Sequence, residues 1–142
     1  MTDNNPITAI HHIAVAVKDI QIATQEYIDV FGYEKESELV LESNQKVYVQ
    51  FMIKGELRVE LLQPSSEDSP ITNFIKKGGV LYHFCYETND LVRAIDHIKK
   101  KYRAILTYGP AISLSMENCE YAFLAKPTGE VIELVSFNGG ES

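Results

Sequence analysis

The chain has little that would tie it to several large functional classes. Only two of its 142 residues are cysteines, Cys85 and Cys119, and they stand far apart, which excludes both a disulfide framework and a zinc-knuckle pattern and points to a reducing compartment. Positive charge is scarce: 13 Lys and Arg against 20 Asp and Glu give a formal charge of -7, the wrong sign for a surface that displaces counterions from nucleic-acid phosphates. The lysine runs at 76–77 and 99–101 are short. No apolar run approaches the ~20 residues that span a bilayer, and the opening MTDNNP lacks the basic and then apolar stretch of a signal peptide, so the expectation is a cytoplasmic protein with no membrane partner. Nucleophile-elbow, phosphate-loop and dinucleotide glycine signatures are missing too, leaving those chemistries without support.

What is present is a repeat. IHHIAVAV, LRVELLQP, LYHFCYET and VIELVSF place a histidine early in one apolar stretch and a glutamate in a later one, twice over. His12 and His83 are 71 positions apart, Glu60 and Glu133 73. Asp19, Ile20 and Ala23 recur as Asp90, Leu91 and Ala94 at the same step of 71, so the chain reads as two copies of one unit.

Periodicity gives the unit its form. Strands are expected at 8–17, 46–54 and 57–63, with a weaker one at 38–42. A helix is expected from Asp19, its cap, to Phe31, ended by Gly32. The second half repeats the order with a strand at 80–88, a helix opened by Asp90, and strands near 104–108, 119–126 and 130–137. The fold class is therefore α+β, one domain over 1–142 made of two tandem βαβββ modules, 8–64 and 80–137, joined by a linker at 65–79 with one helical turn around Ile71 to Lys77.

Alternation along a strand decides which side chains share a face. His12, Ala14 and Ala16 share one, Ile13, Val15 and Val17 the helix-covered other, and Glu60 and Glu133 fall on the histidine face. Ionised carboxylates among aliphatics cost several kcal/mol to desolvate unless a cation compensates them. Arg58 is the one basic residue spaced near Glu60. A divalent cation held by His12, Glu60, His83 and Glu133 would bring the site near neutrality. Two nitrogens and two oxygens suit nickel, cobalt, zinc or manganese, and a six-coordinate ion would keep two positions open for a substrate. Gln50 is a candidate substrate contact or a strand-edge cap. His11, His97, Tyr82 and Cys85 read as structural or surface residues, and Lys76 and Lys77 as a solvated linker.

IHHIAVAVKDI, VELLQPSSEDSPI, LYHFCYETNDL and VIELV resemble the vicinal-oxygen-chelate superfamily, in particular its glyoxalase I and methylmalonyl-CoA epimerase branch, from about residue 8 to 137. The resemblance implies paired modules curling a mixed sheet into a cup around a metal, with His12, Glu60, His83 and Glu133 on the ligand positions. It implies a small-molecule substrate, a CoA thioester or a glutathione adduct, and a homodimer. The reaction it implies is metal-dependent proton transfer beside a carbonyl, by an isomerase or a lyase (lactoylglutathione lyase). In some epimerases a base stands on the third strand, matched here by Val49 or Gln50, so Glu133 is expected as the base and Glu60 as the reprotonating group. The alternatives are an extradiol dioxygenase and a metal-free binding or resistance protein of the same fold.

Overall fold

The computed structural model describes residues 5–117 and 119–137, so the outermost positions of the 1–142 span lie outside the described residues. The chain divides into two compact units, residues 12–82 and residues 1–11 with 83–142. The division falls inside the first strand, between the adjacent histidines.

The unit of residues 12–82 holds most of β1 (Ile7–Ala16), then α1 (Ile20–Phe31), β2 (Glu34–Lys35), β3 (Val40–Glu42), β4 (Val47–Lys54), β5 (Leu57–Pro64) and the short α2 (Thr72–Lys76). Its strand order is β2-β4-β5-β1, with β3 also on β4. The β1–β5 pair is parallel and the β4–β5 hairpin antiparallel. The other unit holds β6 (Leu81–Thr88), α3 (Leu91–Tyr102), β7 (Ile105–Ile112), β8 (Glu120–Ala125) and β9 (Val131–Ser136), in the order β6-β9-β8-β7. Here β6 and β9 are parallel and β8 and β9 antiparallel. Both units are thus mixed-sheet modules of the βαβββ type, with β2 and β3 together edging β4 in the first as β7 edges β8 in the second. The two-residue β2 escapes the sequence pattern because Glu34 and Lys35 carry no apolar alternation. β7 runs four residues beyond the expected 108, to Ile112.

Local chemistry explains the helices. Asp19 accepts from Gln21 and Ile22 N–H at 3.0 and 3.1 Å, supplying two of the donors that a helix start leaves without intrahelical acceptors. Gly32 ends α1 at φ 76°, where its N–H reaches Ile28 O. In α3, Asp90 accepts from Arg93 N–H at 3.1 Å, and the left-handed end residue is Arg103 at φ 55°. Gln63 accepts from Ile20 N–H at 2.8 Å, tying the end of β5 to the start of α1.

α1 and α3 each cover one face of the strands of their own unit. Ile20 and Ala23 pack on Met52, Val59 and Leu61, with Val15 and Val17 at the margin as alternation requires. Leu91, Ala94, Ile95 and Ile98 pack on Ala122, Leu124, Ile132 and Leu134. Burial of side chains of this size stabilises by about 1.5–3 kcal/mol each. Because Val59 and Leu61 face α1, Glu60 between them must face away from it; Glu133, between Ile132 and Leu134, stands likewise relative to α3. No helix among the described residues is long and apolar enough to cross a membrane.

Candidate metal centre

In the unit of residues 12–82, His12 and Glu60 are both buried, and His12 Nε2 lies 3.1 Å from Glu60 Oε1. Glu60 stands level with Ala14, two residues past the histidine, in the parallel β1–β5 register. Phe51, opposite Glu60 on β4, meets the His12 ring edge to face, with centroids 5.3 Å apart and planes at 75°. Ala14 is fully buried on the same face, where its small side chain leaves room beside the imidazole.

The other unit repeats this geometry independently. His83 Nε2 lies 2.9 Å from Glu133 Oε1, both residues being buried. Glu133 is level with Cys85, again two residues past the histidine. Phe123, opposite Glu133 on β8, meets the His83 ring at 5.1 Å and 75°. The unequal steps of 71 and 73 therefore describe one register, the extra two residues being taken up outside the parallel pair.

Two ligand atoms ~2.1 Å from an ion and at right angles are about 3.0 Å apart. Both His–Glu separations match that edge, so each pair offers one imidazole nitrogen and one carboxylate oxygen already spaced as neighbouring ligands. Charge favours the same reading. With a neutral imidazole, each pair buries one negative charge, which costs several kcal/mol uncompensated. Both donor sets fit a borderline divalent ion.

The remaining sequence candidates fall elsewhere. Gln50, read as a substrate contact or a strand-edge cap, stands level with Leu61 on the helix-covered face, opposite to Phe51. Its amide donates to Ser37 O at 2.6 Å, and it borders a cavity of about 360 Å³ beside Thr24 of α1. Strand alternation thus turns Gln50 to the sheet face opposite that of Glu60. Arg58 forks onto Glu36, Nε to Oε1 at 2.5 Å and Nη2 to Oε2 at 2.9 Å. His11 packs against Phe137, and Tyr82 against Phe74. Lys76 pairs with Glu67 at 3.2 Å in solvent.

One acid escaped the sequence reading. Glu42 closes the short β3 and is only 4% exposed. It pairs with Val47, which shares a face with Val49 and Phe51 on β4, so Glu42 stands on the same sheet face as Glu60. A buried carboxylate thus stands on the strand next to Val49 and Gln50. The signal was available, since Val40 and Glu42 alternate, but a three-residue strand yields too short a pattern to assign a face.

The family model of the Glyoxalase/Bleomycin resistance protein/Dioxygenase superfamily matches residues 11–123, and the chain belongs to that superfamily. Within it, the chain is 33% identical over 105 residues to the ethylmalonyl-CoA/methylmalonyl-CoA epimerase of Cereibacter sphaeroides, an alignment covering 72% of this chain and 78% of that protein. It is 39% identical over 94 residues to the mitochondrial methylmalonyl-CoA epimerase of Mus musculus, covering 65% of this chain, and it spans about half that relative's length (52%). A variant of Streptomyces coelicolor methylmalonyl-CoA epimerase, solved with 2-nitronate-propionyl-CoA, superposes at TM-score 0.80 with 25% identity over 96% of this chain and 99% of that one. The Mycobacterium tuberculosis methylmalonyl-CoA epimerase shares the fold at TM-score 0.82, 21% identity and 96% and 92% coverage.

Proposed function

We propose that the chain is a divalent-metal-dependent epimerase that moves the proton on the carbon beside a CoA-thioester carbonyl, with methylmalonyl-CoA as substrate class. In this reading residues 1–142 act as one domain, and His12, Glu60, His83 and Glu133 are the four protein ligands of a single nickel, cobalt, zinc or manganese ion. The observation that carries it is the twofold His–Glu–Phe arrangement, 3.1 and 2.9 Å between nitrogen and oxygen, buried in both units. The relatives with epimerase names support the substrate class.

When bound, the ion supplies Lewis-acid stabilisation of the oxyanion that forms as the α-proton leaves, worth several kcal/mol. The chain's own groups do the rest. Phe51 and Phe123 fix the two imidazole planes, so that each Nε2 is presented to the ion without rotamer search. Epimerisation requires a proton to leave one face of a planar carbon and return to the other, hence two acid–base groups on opposite sides. Glu133 is assigned one transfer. Glu42 is assigned the other in place of Glu60, since it is a buried carboxylate on the Glu60 face. The homodimer and the cytoplasmic location expected from the sequence belong to the same proposal, the first measured by sedimentation equilibrium.

Elemental analysis of purified protein and proton exchange on methylmalonyl-CoA in deuterated water, run beside a methylglyoxal–glutathione assay, test it. Bound metal with exchange on the CoA ester is the expected result. Absence of metal together with no affinity for nickel, cobalt or zinc would overturn the assignment in favour of a binding module. Retained epimerisation in Glu133→Gln would remove Glu133 from the mechanism.

A further inference from the structure

The unit containing β6–β9 has a second concavity that the proposed chemistry does not use. It encloses about 630 Å³, within the ~300–1,000 Å³ range of small-molecule sites, and Tyr86, His97, Lys101, Tyr102, Lys126 and Ile132 line it. Ile132 and Tyr86 place it on the α3 side of the sheet, both packing with the helix cluster. Glu133, next to Ile132, points to the opposite side, so the sheet itself separates this cavity from the His83–Glu133 pair.

Its chemistry is cationic and aromatic in an acidic protein. Residues 93–126 hold six of the chain's 13 Lys and Arg against three acids, Asp96, Glu117 and Glu120. Lys100 is engaged by Asp96 at 3.0 Å, whereas no acid among the described residues is in ion-pair contact with Lys101. Lys126 is pinned at the other wall, its Nζ 2.9 Å from Glu130 Oε1 and 4.2 Å from the centre of the Tyr102 ring, with its side chain only 20% exposed. Glu130 also lines the cavity, so Lys101, Lys126 and Glu130 leave one net positive charge among the lining groups. Tyr102, 50% exposed, is an aromatic wall with the Lys126 ammonium over its ring. An apolar floor, aromatic sides and one uncompensated cation are the complement of a small organic anion with a flat or aliphatic body.

We infer that this cavity is a second ligand site, taking a carboxylate or phosphate carried on an apolar body, with Lys101 and Lys126 receiving the anion and Tyr86, Tyr102 and Ile132 the body. It is independent of the epimerase reading. The test is titration of the intact protein with phenyl phosphate, phenylacetate and inorganic phosphate, followed by amide chemical shifts. Saturable shifts along His97–Tyr102 and at Ile132 are expected for one or both organic anions, the better of the two identifying the head group, with inorganic phosphate at least about tenfold weaker. Lys101→Glu should weaken binding by about tenfold or more, whereas Lys99→Glu, the same charge change on a residue that does not line the cavity, should change it less than about twofold. Absence of saturable shifts with both organic anions overturns the site. So does equal weakening by the two variants, which marks a diffuse charge effect, or inorganic phosphate binding as tightly as the organic anions.

Discussion

Residues 12–82 and residues 83–137 build one module twice, and the places where the copies differ separate what the architecture needs from what the chemistry needs. Strand order, parallel pairing of first and last strands, the aspartate cap, the His–Glu spacing and the phenylalanine against each imidazole are common to both. At the strand position that pairs with Val47, the first module buries Glu42. In the second, four residues back from Phe123 as Val47 is from Phe51, Cys119 faces Ser113, whose N–H donates to Cys119 O and whose hydroxyl accepts from Ser115 and Met116 N–H. One copy thus carries a third acid while the other spends the equivalent residue on holding a loop. A symmetric pair of ligand sets needs no such difference. A reaction that moves a proton asymmetrically does.

The largest expected effect breaks that comparison directly. Glu42→Gln should lower epimerisation of methylmalonyl-CoA by about 10²–10⁴-fold, the usual worth of a positioned acid or base, with metal content unchanged. Ser113→Ala should stay within about threefold of wild type in the same assay, its loop bonds costing stability rather than turnover. Epimerisation by Glu42→Gln within that same threefold would leave the difference between the copies without catalytic meaning.

Much of this was legible before any coordinates because the residues that define the modules obey short-range rules. Asp19, Gly32 and Asp90 mark helix ends through their own side chains or lack of one, and period-two alternation puts Glu60 and Glu133 on the face away from the helices. Other features depend on pairing that no local pattern encodes. Gln50 alternates as an inward residue on either face, and only its register with Leu61 shows that the face is the helical one. Glu42 lies in a three-residue strand whose place is set by β4. Arg58 looked available to Glu60 from spacing alone, yet its planar fork is taken by Glu36 from the β2–β3 side.

The helix caps sharpen the comparison at the next scale down. Asp19 satisfies two backbone donors and Asp90 one, so Asp19→Ala should destabilise by about 1–2 kcal/mol and Asp90→Ala by about 0.5–1 kcal/mol. Equal losses in denaturant midpoints would mean that the second hydrogen bond at Asp19 contributes nothing.

The C-terminal caps differ in residue type at one shared conformation. Gly32 adopts φ 76° without strain, while Arg103 holds φ 55° against the clash that an L side chain meets there. Arg103→Gly should therefore stabilise by roughly 0.5–1 kcal/mol, a rise of a few degrees in Tm. Gly32→Ala should do the reverse and somewhat more, since an added Cβ would also sit 2.9 Å from Lys54 Nζ, which must swing aside. A melting curve unmoved by Arg103→Gly would show that its side chain gains elsewhere what its backbone loses.

The smallest effects separate the two copies by pH. In the first unit the hydrogen bond from Lys46, helped by Ser66, holds the Asp68 carboxyl down at about 2. A depressed carboxyl adds stability that is fully present above its unfolded value near ~3.9 and is lost as pH falls through the folded value. In the second unit the hydrogen bond to Glu130 raises the Lys126 ammonium above its ordinary value. That contribution is complete below the unfolded value near ~10.4 and disappears as pH rises through the raised one. Salt screening keeps the Asp68 pair modest because both partners reach solvent. Asp68→Asn should accordingly flatten the fall in Tm between about pH 4 and 2, while Lys126→Gln should flatten the alkaline limb. Melting scans at both extremes measure this. An acid limb as steep in Asp68→Asn as in the wild type, or an alkaline limb as steep in Lys126→Gln, would contradict the assignment.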